Sequence, residues 1–260
     1  MPTKKRFKTI NGLALAFLIT ASSVSLVGCK TTGVNIDGMV SAGMGFATAA
    51  NLSDEDMKQI GDKSIAQLDS SNRVAPANSH YAQRLARLAA PWSEVDGHKL
   101  EYKVYLDPKV NAFAVPNGSI RFYSGLLDVM TDDEVRYVIA HEIGHVVLGH
   151  SKGRFQTAIM ASSARQAVAA SGNSTAAALT SSQLGELGEK LVNAQYSQRN
   201  ENEADDFALN LMKKHGYNPN ASVTALRKLE SKFGNQSSLF SSHPAPGDRA
   251  TRLDRQISNR

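Results

Sequence analysis

Apolar positions along this chain recur with two different periods, and the changes between them mark out the elements. Met57, Ile60, Ile65 and Leu68 fall at helical spacing behind Ser53-Asp-Glu-Asp56. That stretch offers an N-cap followed by acids in the first turn, so a helix is predicted to about Asp69. A polar loop over 70–79 contains Pro76, and Tyr81, Leu85 and Leu88 predict a second helix that ends before Pro91. The period then shortens to two. Leu100, Tyr102, Val104 and Leu106 predict a strand, Asn111–Val115 is short and extended, Pro116-Asn117-Gly118 turns, and Ser119–Tyr123 is another strand. Helical spacing returns with Val135, Val138, Ile139, Ile143, Val146 and Val147. Thr131-Asp-Asp-Glu134 is a capping box in front of them, and the helix should run to about Gly149 or His150.

Beyond it, residues 153–185 are rich in Ala and Ser, which predicts two loosely packed helices, a mobile flap near the cleft, or a plain helical hairpin on the core. Glu186 to Lys214 reads as helix, with Gly216 as its C-cap. Asn218-Pro219 opens another helix carrying Val223, Leu226 and Leu229; Ser242-His243-Pro244 is a loop; a last helix spans Asp248 to about Ile257. The expected fold class is α+β: a mainly helical domain with a small, mostly antiparallel sheet.

The 260 residues are 42% apolar and 20% charged, as in an ordinary globular protein. The net charge of +5 misleads, because Lys4, Lys5, Arg6 and Lys8 open the chain with no acid in the first 28 residues. Without those four, 25 basic residues face 24 acidic ones, so nothing in the charge points to nucleic acid. The basic start, the short apolar run Leu13–Leu18 and Leu26-Val27-Gly28-Cys29 have the layout of an export signal, too short to span a membrane. The last four residues resemble the lipobox of bacterial lipoproteins. That resemblance implies cleavage before Cys29, lipid on Cys29, and, with Lys30 next, sorting to the outer membrane. Cys29 is the only cysteine, which excludes an intramolecular disulfide. The expected organisation is a signal peptide over 1–28, a lipidated Gly/Ser/Thr/Ala tether over 29–50 and one domain over 51–260.

The chemistry is concentrated in His141-Glu-Ile-Gly-His145. Two histidines four apart share one helix face about 6 Å apart along the axis, so both imidazoles can grip one ion, expected to be Zn²⁺, one per chain. Glu142 is placed to serve as general base to a water beside that ion. A catalytic zinc needs a third protein ligand. His150 falls one residue short of the metzincin position, and reads as a histidine at a helix C-terminus. Glu201-Asn-Glu-Ala-Asp205 supplies a better candidate, with Glu201 on the metal and Asp205, on the same helix face, accepting the free N–H of His141. Glu203 should then be solvated. His243 can reach the cleft to stabilise an oxyanion, or is simply a turn histidine.

His141-Glu-x-x-His145 with Glu201-x-x-Ala-Asp205 resembles the gluzincin family of the CAAX prenyl protease and the bacterial heat-shock membrane protease. Asn111-Ala112-Phe113-Ala114 with Asn117-Gly118, Ser197-x-Arg199, and His243-Pro244 with Arg249 agree with it. The likeness covers about residues 76–257, and the lipobox points to the lipid-anchored branch of outer-membrane metalloproteases. It implies a zinc endopeptidase acting on misfolded or envelope proteins, with Asn111, Ala112, Phe113 and Ala114 as a substrate-binding edge strand. Polypeptide substrates, a membrane held through the N-terminal lipid and envelope protein partners are the expected partners. Two rival classes remain: a zinc-binding chaperone or assembly factor for outer-membrane proteins with a closed cleft, and a structural lipoprotein with a vestigial site.

Overall fold

A computed structural model describes residues 52–162, 164, 179–234 and 242–259. The expected signal peptide, Cys29 and the tether lie outside the described residues, as does the middle of the Ala- and Ser-rich stretch.

Helix α1 (Asp54–Ser71) starts at the expected cap, where Ser53 and Asp56 close a capping box. Helix α2 (His80–Ala89) is capped by Ser79. A hairpin follows, β1 (Glu94–Val95) and β2 (His98–Lys99), turning through Asp96 and Gly97, both at positive φ. Strands β3 (Glu101–Tyr105), β4 (Ala112–Ala114) and β5 (Ser119–Tyr123) form a second sheet in the order β3-β5-β4. The β4–β5 and β1–β2 pairings are antiparallel, and β3–β5 is parallel. The fold is α+β and mainly helical as expected, and two of the three strand pairings are antiparallel, but the three-stranded sheet is mixed because β5 lies between β3 and β4 and runs parallel to β3.

The second sheet is buried on both faces, and its side chains alternate between two apolar clusters. Val104, Ala112, Ala114, Ile120 and Phe122 join the larger core, whereas Tyr105, Phe113, Val115 and Tyr123 join a smaller one built with α1. The Val, Ile and Phe side chains so buried contribute roughly 1.5–3 kcal/mol each. Arg121 interrupts the apolar run of β5 and is fully buried. Its guanidinium bonds Asp69 from α1 at 2.9 and 3.0 Å and Glu101 at 2.8 Å, so the charge is paired where water is excluded.

Short helix α3 (Ser124–Val129) leads into α4 (Asp132–Val147), whose start is the capping box of Thr131 and Glu134. Of its residues, Val135 through Val146 are buried except Arg136, so this helix runs through the larger core. It ends two residues earlier than expected. Gly149 adopts φ +73°, which turns the chain, and His150 opens the next helix, α5 (His150–Met160). The helix expected over Glu186–Lys214 is two: α6 (Ser181–Asn193) and α7 (Gln198–Lys214). The break exists because Ser197 and Asn200 form their own capping box. Helices α8 (Asn220–Phe233) and α9 (Pro246–Ser258) complete the fold. No described helix is long and apolar enough to cross a membrane.

A close approach between two helices governs the site. Gly144 on α4 faces Ala204 on α7, and a Cβ on Gly144 would lie 3.2 Å from the Ala204 Cα and carbonyl oxygen. With no side chain between them the two backbones touch. This brings the acidic face of α7 within reach of the histidines of α4.

Candidate metal centre

His141 and His145 point from α4 into a buried space, and Glu201 from α7 meets them. The two histidine Nε2 atoms lie 3.0 Å apart. Glu201 Oε1 is 3.3 Å from His145 Nε2, and Glu201 Oε2 is 3.5 Å from His141 Nε2. His243 Nδ1 joins them at 3.3 Å from His141 Nε2 and 3.0 Å from Glu201 Oε1. Ligand atoms of all four residues lie within 4.8 Å of one another. Donors about 2.0–2.1 Å from a tetrahedrally bound zinc lie about 3.3 Å from each other, so these separations fit one ion at their centre. Three imidazoles and a carboxylate are also the donor chemistry that zinc takes.

His243 is held in place by its neighbours. Ser242 accepts a hydrogen bond through its carbonyl from the Tyr196 N–H at 3.1 Å, and its hydroxyl donates to Asn111 Oδ1 at 3.2 Å. Ala245 then adopts φ +52° ahead of α9. The break between α6 and α7 places Tyr196, whose ring stacks on His145 at 3.6 Å with the planes 6° apart. Arg154 lies over the other side of that assembly, 4.4 Å from the Tyr196 ring.

Around the donors stands a second layer of charge. His141 Nδ1 is 3.0 Å from Asp205 Oδ1, the contact expected for its free N–H. Tyr137 donates its hydroxyl proton to the same oxygen at 2.7 Å. Arg249, from α9, contacts Asp205 and Glu201 together. Burial pushes the Asp205 carboxyl up, but Arg249 outweighs it and holds the group well below the usual range. Glu201 is held well below for the same pair of reasons.

Glu142 lies beside the donors without being one. Burial raises its carboxyl, but the His243 ring, with Nε2 3.2 Å from Oε1, outweighs that and brings it to about 2. Its other oxygen, Oε2, is buried with no hydrogen-bond partner. Burial lowers His145 to about 3, and His243 is raised to about 9 because the charges of Glu201 and Glu142 overcome its burial. Next to Glu142 and His243 is a cavity of about 20 Å³ walled by Ala112, Val138, Leu226 and Leu229.

Asn111, Ala112, Phe113 and Ala114 do form and flank an outer strand, since β4 bonds β5 on one side only. Asn111 Oδ1 also accepts the Ala112 N–H at 2.9 Å. One expectation needs correction. His150 does not end a helix: it begins α5, and its Nδ1 lies 3.2 Å from His145 Nδ1. The Glu203 side chain is exposed, as expected, and also contacts His150 Nε2 at 3.0 Å and Arg199 Nε at 2.8 Å. Sequence reasoning noted Arg249 but gave it no role at the site; its lone signal was a position five residues past Pro244.

A His-Glu-x-x-His helix with a carboxylate and a further histidine packed against it is the active-centre layout of a metallopeptidase. Comparison with known proteins agrees: residues 76–257 match the model of Peptidase family M48, and the chain belongs to that family, which makes it a metalloprotease. It is 44% identical to "Metalloprotease LoiP" of Escherichia coli over 93% of this chain and 96% of that protein. It is 40% identical to "Metalloprotease YcaL" of the same organism, over 94% and 97%. "Metalloendopeptidase OMA1, mitochondrial" of Bos taurus is 31% identical over 58% of this chain and 31% of its own length.

Proposed function

We propose that this metalloprotease is a zinc-dependent endopeptidase, tethered to the bacterial outer membrane through lipid on Cys29, that cleaves misfolded or envelope polypeptides on the periplasmic side. The observation that carries the zinc reading is the clustering of His141, His145, Glu201 and His243, whose ligand atoms lie within 4.8 Å of one another, with five of the separations between 3.0 and 3.5 Å. The export signal and Lys30 support the location.

The ion, when bound, supplies Lewis acidity and brings a water within reach of deprotonation near neutral pH. Glu142 is held ionised at pH 7, with Oε2 free to take that proton and pass it to the departing amine. The edge of β4 away from β5 pairs with no described strand and is where an extended peptide would add once this buried edge is uncovered, and the apolar cavity beside Glu142 suits a small apolar side chain. His243, beside Glu142 and the donor set, would then steady the oxyanion when it is not itself on the metal. The protein should purify with one zinc per chain and cleave an unstructured polypeptide such as casein, and Glu201→Ala should lose both. Zinc content unchanged by Glu201→Ala would refute the ligand set.

One observation favours a second reading. His243 Nδ1 already stands where the fourth donor belongs, whereas a catalytic zinc keeps a position open. The resting protein would then be a latent protease, or a zinc-binding assembly factor, until His243 withdraws. His243→Ala separates the two: an oxyanion role predicts slower cleavage, by about 10²–10³-fold, and latency predicts faster cleavage.

A further inference from the structure

We infer that His150 is a positioning residue of the metal centre: it accepts the ring N–H of His145, and Glu203 in turn locks His150 in the tautomer that can do so. The inference rests on the reading of His145 as a metal ligand through Nε2.

Proton bookkeeping leads to it. His145 Nε2 faces His141 Nε2 at 3.0 Å and Glu201 at 3.3 Å, so this nitrogen is the one turned to the ion. A neutral imidazole that gives Nε2 to a metal keeps its proton on Nδ1. That proton points at His150 Nδ1, 3.2 Å away. Two ring nitrogens that close cannot both carry hydrogen, so His150 Nδ1 must be bare and its proton must sit on Nε2. Nε2 is the nitrogen 3.0 Å from Glu203 Oε2, an acceptor. Arg199 Nε, 2.8 Å from the other Glu203 oxygen, completes the chain. Every donor meets an acceptor only with this assignment, and the sequence of contacts runs from a fully buried ligand to a surface arginine.

The two histidine ligands are therefore supported differently. Behind His141 stands a carboxylate, Asp205, directly. Behind His145 stands a neutral ring, with the carboxylate one step further out. His145 is the less polarised ligand, and its orientation depends on His150 and on the Tyr196 ring stacked against it. Gly149 makes the contact possible: its left-handed turn brings His150 back beneath α4 instead of one turn further along it.

The test compares zinc affinity, by competition with a chelator, in wild type, His150→Phe, His150→Gln and Glu203→Leu. A second readout is the set of solvent-exchangeable ring N–H signals of the cobalt(II)-substituted protein. His150→Phe should weaken zinc binding about 10–100-fold and lose the ring N–H signal of His145. His150→Gln keeps an acceptor and should recover most of the affinity, which a purely structural role would not grant. Glu203→Leu should show a smaller loss in the same direction. Wild-type affinity and an intact His145 N–H signal in His150→Phe would overturn the inference. If that variant does not fold, unchanged affinity in Glu203→Leu would overturn it instead. A wild-type protein that binds no zinc would refute the metal-centre reading itself, a distinct result.

Discussion

Arg249 lies flat across Asp205, with Nε 2.9 Å from Oδ2 and Nη2 2.6 Å from Oδ1, while its remaining nitrogen contacts Glu201. Two buried carboxylates on one helix face are thereby balanced by one cation from the last helix of the chain. Without it, both acids would be buried beside each other four residues apart. Burial alone would favour their neutral forms, and a protonated Glu201 is a poor ligand. Arg249 therefore keeps the carboxylate of the candidate donor set charged.

Replacing it tests this directly. Arg249→Met should destabilise the protein by about 3–5 kcal/mol, because it strands buried charge, and should lower zinc content in whatever fraction folds. Denaturant unfolding and metal analysis of the same sample report the two effects. A variant as stable as wild type, with full zinc, would show that the pair is dispensable.

Glu142→Gln preserves size in a site where the residue is almost fully buried, and Glu142 is outside the four-donor group. Zinc content should be unchanged and cleavage should fall at least about a hundredfold, the smallest effect expected for loss of a general base. Turnover of casein at the wild-type rate would exclude Glu142 from the chemistry.

The Arg121–Asp69 pair under the sheet predicts a pH-dependent stability. Burial raises the Asp69 carboxyl, but its bonds to Arg121, Lys103 and Tyr105 outweigh that and leave it below its ordinary value. The stabilisation is thus complete above the unfolded-state value of about 3.9 and disappears as pH falls through the lower folded value. Asp69→Asn should lose about 3 kcal/mol at pH 7, with the gap closing in acid. Urea midpoints across pH 2.5–7 provide the measurement; a gap of constant size would contradict the argument.

Cys29→Ser should move the protein from the membrane fraction to the soluble periplasmic one, without altering the activity of the detergent-solubilised protein. Persistence in the membrane fraction would show that something other than lipid on this residue holds it there.

Much of this centre was legible in the sequence because it is encoded locally. The start of α4 follows from Thr131 and Glu134 three residues apart, and His141, His145, Glu201 and Asp205 are pairs four apart, which helix geometry puts on common faces. The parts that escaped depend on contacts between distant segments. Arg249 reaches across 44 residues to Asp205, and an arginine in an amphipathic helix looks like any surface cation. The role of His150 turns on the φ of Gly149, which a single glycine does not announce. The break before α7 contains neither Pro nor Gly, so the apolar spacing ran straight through it until Ser197 and Asn200 capped each other. Nothing local to Arg121 signals that it will be buried, because Asp69, which covers it, lies 52 residues earlier in the chain.

The bare contact of Gly144 with Ala204 also makes the donor set sensitive to a single methyl group. A Cβ on Gly144 would meet main-chain atoms of Ala204 at 3.2 Å, so it would press α7, and Glu201 with it, away from the histidines of α4. The spacing of the donors is thus written partly at a position that carries no chemistry of its own.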